Sequence, residues 1–248
     1  MVPEYLILDK LGEEIAVYIR RSNKAKRVNI NIKRNLSQHA KVELVLPNND
    51  MEKGYVFLLK KEFWIRRKLA NLSKPITIDP NLIPMFDKSY SLRKVNSQAY
   101  KVEVNEDIIQ IYSPLNNSDI LLREFLKNIL SKEVQKIVAN ISKRYDLNFT
   151  QIRIITSKNK WGSCSNKGVL SFNWRLVFTP QKILNYVIIH EMCHLLEMNH
   201  SKKFWSLVEN LCSDYKLHKL WLRENSLRLH LILNSRVAEK SDNPTDCK

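Results

Sequence analysis

Between His190 and His200 the chain spends three of its six histidines within eleven residues, His190-Glu191-Met192-Cys193-His194-Leu195-Leu196-Glu197-Met198-Asn199-His200. On an α-helix, positions i and i+4 share a face, so His190 and His194 can offer their imidazoles to one metal ion while Glu191, one step around, can reach a metal-bound water. His200 comes six residues after His194, too far round to share that face of a straight helix. The spacing therefore predicts that the helix ends near Met198-Asn199, with Asn199 as a left-handed C-cap, and that Ser201 caps a new helix running through Phe204, Trp205, Val208 and Leu211. His200 would then sit at the bend, facing back toward the metal. Three histidines and one water complete a tetrahedral catalytic zinc site, the working end of a zinc hydrolase. Glu209, on the second helix, is the rival third ligand in the manner of two-histidine-one-glutamate sites. Cys193 points away from the shared histidine face and reads as a small buried residue.

The preceding residues supply the helix that the motif needs. Thr179 is an N-cap candidate with Pro180 at the first helical position, and Ile183, Leu184, Val187, Ile188, Leu195 and Leu196 recur at helical spacing. Upstream, Asp119 to Tyr145 carries apolar residues at the same period and predicts a long helix packed across the zinc helix. Ile152 to Thr156 and Val169 to Leu176 read as strands joined through the Trp161 to Gly168 segment, and one of the two is the candidate edge on which a peptide could add as a further strand.

The N-terminal half reads as β-rich. Val28-Ile30-Ile32 and Val42-Leu44-Leu46 alternate with polar residues around a turn at Asn35-Leu36-Ser37, a hairpin pattern, and Glu52 to Leu72 reads as a helix. Tyr90 to Leu92, Tyr100 to Val104 and Ile108 to Tyr112 read as short strands, the last two joined by Asn105-Glu106-Asp107. The expected organisation is an α+β fold, with a β-rich region over 1–115, a helical metal-binding domain with a small sheet over 116–234, and a polar, disordered tail over 235–248. No internal repeat is evident.

With 248 residues, 44% of them hydrophobic and only four glycines, the chain can bury a sizeable core. It contains no eighteen-residue apolar run, and Met1-Val2-Pro3-Glu4-Tyr5 lacks the pattern of a secretion signal, so a cytoplasmic protein with no membrane partner is expected. Cys164, Cys193, Cys212 and Cys247 are widely spaced, which fits reduced thiols. The net charge of +16 splits as +7 over residues 1–80, +7 over 81–180 and +2 over 181–248. Arg20, Arg21, Lys24, Lys26, Arg27, Lys33 and Arg34 flank one strand, and Lys60, Lys61, Arg66, Arg67 and Lys68 interleave with Phe57, Phe63 and Trp64 on a helix. Such patches can attract nucleic acid, although a solvated basic surface has the same composition.

Trp161-Gly162-Ser163-Cys164-Ser165, then Leu170-Ser171-Phe172-Asn173-Trp174-Arg175-Leu176, then His190 to His200 running into Ser201, Phe204 and Trp205, resemble the YgjP-like metallopeptidases, also called the DUF45 or M48-related zinc hydrolases. The resemblance spans roughly residues 10 to 225 and is strongest from 150 to 222. It implies a zincin-like metallopeptidase core, His190, His194 and His200 as Zn2+ ligands, Glu191 as catalytic base, and a protein or peptide substrate. More distantly, the family is similar to SprT-type and Wss1-type proteases that act on proteins attached to DNA. Metzincins share the histidine spacing but place glycine where this chain has Glu197, and no later segment reads as their methionine turn.

The chemistry expected of the ligand set is metal-assisted amide hydrolysis. Neutral imidazoles leave the zinc its double charge, and Glu191 would take the attacking water's proton and hand it to the leaving amine. Asn173, Arg175, Tyr186 and Tyr215 are the polar groups near the right segments, and the sequence does not choose an oxyanion stabiliser among them. Trp161 and Ser163 shape a loop over the cleft or support the fold. Trp174 and Trp205 read as core aromatics. Two other readings stand beside the peptidase: a metal-dependent amide hydrolase of a small molecule, and a basic nucleic-acid-binding protein with a structural zinc site. Glu191 favours an enzyme, because a structural three-histidine site needs no base beside its first ligand.

Overall fold

The computed structural model describes residues 5–9, 11, 13–34, 40–47, 50–73 and 78–233. The expected turn at Asn35-Leu36-Ser37 and the expected tail at 235–248 lie outside them. The chain divides into two compact units, Met1–Thr77 and Ile78–Lys248. The expected boundary near residue 115 thus falls inside the second unit.

In the first unit, β1 (Tyr5–Leu8), β2 (Ile15–Arg21), β3 (Asn29–Arg34) and β4 (Ala40–Leu46) form a sheet in the order β1-β2-β4-β3. The β3–β4 pair is antiparallel, in the hairpin register that the alternating pattern predicts, while β2 and β4 run parallel. A helix, α1 (Met51–Ser73), covers one face. Leu58 and Ile65 meet Leu8, Val17, Val42, Leu44 and Leu46 in a closed apolar core. Gly54 permits that approach, since a Cβ there would lie 2.5 Å from a methyl of Leu46.

The second unit opens with β5 (Leu82–Met85), β6 (Lys88–Asn96), β7 (Lys101–Asn105) and β8 (Ile108–Ser113), ordered β5-β6-β8-β7, followed by α2 (Ser118–Tyr145). This sheet repeats the first unit's topology. Outer strands pair antiparallel, the inner two pair parallel, and a long helix follows. The sequence reading finds no repeat because the periodic burial is kept while the residue identities are not. Leu122, Leu126, Leu130, Val134 and Val138 line one buried stripe of α2 at spacings of four, and Asp146 closes the helix with φ 50°.

Beyond α2 lies a three-stranded sheet, β10-β11-β9, built from β9 (Gln151–Ile155), β10 (Gly162–Cys164) and β11 (Val169–Asn173). Then come α3 (Gln181–Cys193), α4 (Lys202–Leu211) and α5 (Tyr215–Leu231). As expected, α2 packs against α3. The strand expected over Val169 to Leu176 stops at Asn173. There the side chain accepts from the Arg175 amide and starts a short 3-10 turn, Trp174–Phe178. Thr179 does not cap α3 with its side chain; its hydroxyl donates to the Leu176 carbonyl. The Gln181 amide instead donates to the Asp87 carboxylate (3.3 Å), 94 residues earlier. A cap supplied from a distant loop leaves no local signal. The fold is α+β, and among the described residues no helix is long and apolar enough to cross a membrane.

Candidate metal centre

The sequence requires a break between the second and third histidines, and the break comes earlier than the spacing suggests. The last regular residue of α3 is Cys193, and His194 is its C-cap. The next turn tightens, with the His194 amide on the Glu191 carbonyl (3.2 Å), Leu195 on Met192 (3.0 Å) and Leu196 on Cys193 (3.1 Å). Within that turn His194 Nδ1 meets the Glu197 carbonyl at 3.0 Å, a side-chain bond that draws the backbone out of helical winding. Asn199 is not left-handed: positive φ among the described non-glycine residues occurs only at Phe86, Glu106, Asp146 and Leu233. Its side-chain amide donates to Glu197 Oε1 (2.6 Å) and ties the loop to itself. Ser201 caps α4 as predicted, accepting from the Phe204 amide (3.2 Å).

This path brings the three histidines together. One ring nitrogen from each of His190, His194 and His200 lies within 4.8 Å of the others. His190 Nε2 and His200 Nε2 are 3.1 Å apart, close to the roughly 3.3 Å that separates two nitrogens sharing a tetrahedral zinc. The Glu197 carbonyl engages Nδ1 of His194 and leaves its Nε2 as the nitrogen available to a metal, the usual way a ligand imidazole is oriented. Burial, reinforced by the neighbouring imidazoles and Lys219, holds the His190 pKa down to about 3, so its ring is neutral, the form that binds metal. Burial also lowers that of His200. The donor set fits a divalent cation.

Phe204 and Trp205 of α4 form the floor under these rings. Phe204 stacks on His194 (centroids 4.4 Å) and meets His190 and His200 edge-on, while Trp205 stacks on His200 (5.6 Å) and on Tyr215 (5.3 Å). Trp205 is therefore a wall of the histidine site rather than a plain core aromatic. Trp174 is buried, as expected, packed edge-on against Phe178. Glu209, the rival ligand, is exposed and pairs with Lys216 (3.2 Å). Cys193 is buried, and its thiol is pushed up to about 12, which keeps it protonated. Cys164, Cys193 and Cys212 are free thiols.

Glu191 lies on α3 beside His190, 6% exposed, its pKa raised by burial to about 8 while the Lys160 charge opposes that rise. A divalent cation beside it favours the ionised form. Its cover is β10, a strand inside the segment that reads only as a connection. A Cβ on Gly162 would lie 2.6 Å from Glu191 Cγ and Oε1, so only glycine lets the strand pass over this carboxylate. The Trp-Gly-Ser-Cys motif carries that signal, but a close approach between distant residues cannot be read from one glycine. Of the two strands expected to offer an edge, β9 lies at the edge of β10-β11-β9 and β11 at its centre; β10, which passes over Glu191, is the other edge.

The other polar candidates divide. Tyr186 lines a cavity of about 260 Å3 with His190, Glu191, Gly162, Trp161 and Lys160, and its burial pushes its hydroxyl up to about 12. Tyr215 is committed to Trp205, and Arg175 lies over Trp174 (4.7 Å). The side-chain amide of Asn173 donates to the carbonyls of Ser157 (2.7 Å) and Lys160 (2.9 Å) and so holds a loop.

The family model described as YgjP-like, metallopeptidase domain, matches residues 26–225, and the chain belongs to this metallopeptidase family. Among solved structures, the metallopeptidase zymogen of Methanocaldococcus jannaschii jannalysin is similar to part of this chain, with 27% identity over 36% of this chain and 94% of that one and a TM-score of 0.31. A comparison with curated proteins gives no match.

Gly162→Ala should drive the β10 backbone and Glu191 apart, lowering stability by about 1–3 kcal/mol in denaturant unfolding. An unchanged midpoint would show that the contact relaxes freely.

Proposed function

We propose that this chain is a zinc-dependent peptidase in which His190, His194 and His200 hold the metal and Glu191 is the general base. The observation that carries the reading is the convergence of three imidazole nitrogens within 4.8 Å beside a buried carboxylate. When bound, Zn2+ supplies Lewis acidity, polarising the scissile carbonyl and bringing the pKa of a water toward neutrality. Glu191 accepts that water's proton as it attacks and delivers it to the leaving amine. The closed walls around Glu191, from Gly162 and the β10 backbone, keep the carboxylate in one position and limit its access to bulk water. An extended peptide adds to the outer edge of β10, where backbone hydrogen bonds hold its carbonyl beside Glu191.

Metal analysis should find about one zinc per chain in the wild type, most of it lost in His200→Ala and kept in Glu209→Gln. The reverse result would make Glu209 the third ligand. Glu191→Gln should retain zinc and fold but lower peptide hydrolysis by a factor on the order of 10² or more. Hydrolysis that survives this change removes Glu191 from the role of base.

A second partner follows from one feature of the first unit. A groove of about 590 Å3 is lined by Arg20, Lys24, Lys26 and Arg27 together with Asn29 and Asn31. Of these cations, Arg20 is paired with Glu43 (3.1 Å). We propose that the groove takes the phosphate backbone of nucleic acid. DNA or RNA affinity should then fall steeply with salt, and charge reversal at Lys24, Lys26 and Arg27 should flatten the slope by roughly one per lost phosphate contact. Absence of binding at low salt would leave the groove a solvated basic surface.

A further inference from the structure

Lys160 stands in the cleft close enough for its charge to act on Glu191, yet among the described residues it is in no ion pair. It lines the same cavity as His190 and Glu191, and among the described residues no carboxylate lies within ion-pair distance of its ammonium. An exposed lysine is usually a solvated one, held loosely by a mobile loop. This loop is not loose. Asn173, fully buried, donates to the carbonyls of Ser157 and Lys160 from its side chain and to that of Trp161 (2.8 Å) from its backbone. Ser157 Oγ accepts from the amides of Asn159 (3.2 Å) and Lys160 (3.1 Å). Five hydrogen bonds, three from Asn173 and two to Ser157 Oγ, fix the backbone from which Lys160 projects, two residues before β10 begins at Gly162.

The consequence is electrostatic. Glu191 and His190 line one small cavity, and Lys160 is a cation on its wall, opposite in sign to any carboxylate that a substrate would bring there. Trp161, Val187 and Leu222 supply the apolar part of the lining, Asn159 and Tyr186 are its neutral donors, and Lys160 is its one lysine or arginine. The net charge of +16 draws anionic chains toward the surface in the same sense. Resting on the peptidase reading above, we propose that Lys160 is a specificity residue that binds a carboxylate of the peptide substrate, from an acidic side chain next to the scissile bond or from the free C-terminus.

The test uses an internally quenched peptide cleaved by the zinc-loaded wild-type protein, made with Glu or Gln on each side of the cut and with a free or amidated C-terminus. The carboxylate form that engages Lys160 should be favoured roughly tenfold in kcat/KM, through KM, the size of one charge-assisted hydrogen bond. That ratio should fall to about one in Lys160→Met, and Lys160→Glu should turn the preference toward a lysine-bearing peptide; zinc content and thermal midpoint verify that both variants fold. Equal wild-type rates on all forms overturn the proposal. So does a Lys160→Met protein that loses kcat equally on every form and keeps the ratio, because Lys160 then acts on the reacting carbonyl. If no peptide is cleaved by zinc-loaded wild type, the peptidase reading fails by itself. Calorimetric binding of the same peptides to zinc-loaded Glu191→Gln then decides Lys160, a tenfold carboxylate preference supporting it and equal affinities overturning it.

Discussion

Three imidazoles that converge on one point cannot all come from a straight helix, and the break at His194 resolves this conflict. Two of the rings come from α3, and the third must return from a loop. The tight turn after Cys193, fixed by the bond between His194 Nδ1 and the Glu197 carbonyl, performs two tasks with one contact: it ends the helix and it aims the second imidazole. Everything downstream is placed by that turn. α4 begins at its Ser201 cap and carries Phe204 and Trp205 under the rings, where aromatic contacts of about 0.5–1.5 kcal/mol each limit their rotation before any cation is bound.

Glu191 is controlled from the opposite side. The helix delivers it to the cleft, but its environment is made by β10, whose glycine allows the strand to lie directly on the carboxylate. Burial raises its pKa, the Lys160 charge opposes that rise, and a cation held at the histidines would oppose it further. Glu191, the histidine cluster and Lys160 therefore form one electrostatic unit, and the Asn173-pinned loop that carries Lys160 belongs to it.

The features legible in the sequence are those with a local period or a local pattern. The buried stripe of α2, the β3–β4 hairpin, the Ser201 cap and the three-histidine cluster all lie within a few turns of the residues that specify them. What escaped depends on residues far apart in the chain. The Asp87 acceptor at the start of α3 is 94 residues away, the role of Gly162 exists only against Glu191, and Trp205 looks like any buried aromatic until the rings it supports are in place. The short strand β10 is three residues long, below the length at which alternation is readable, so the edge it forms beside Glu191 leaves no pattern in the chain. The repeated sheet topology stayed hidden for a related reason, because pairing direction is a property of the fold and leaves only an apolar period in the chain.

The central claim is that three histidine nitrogens, and no other protein atom, hold one zinc. X-ray absorption at the zinc edge of the loaded protein tests it most directly. The account predicts three nitrogen scatterers and one light oxygen scatterer at about 2.0–2.1 Å, with the multiple-scattering signature of imidazole. A sulfur scatterer near about 2.3 Å, or a shell with only two imidazoles, would contradict it.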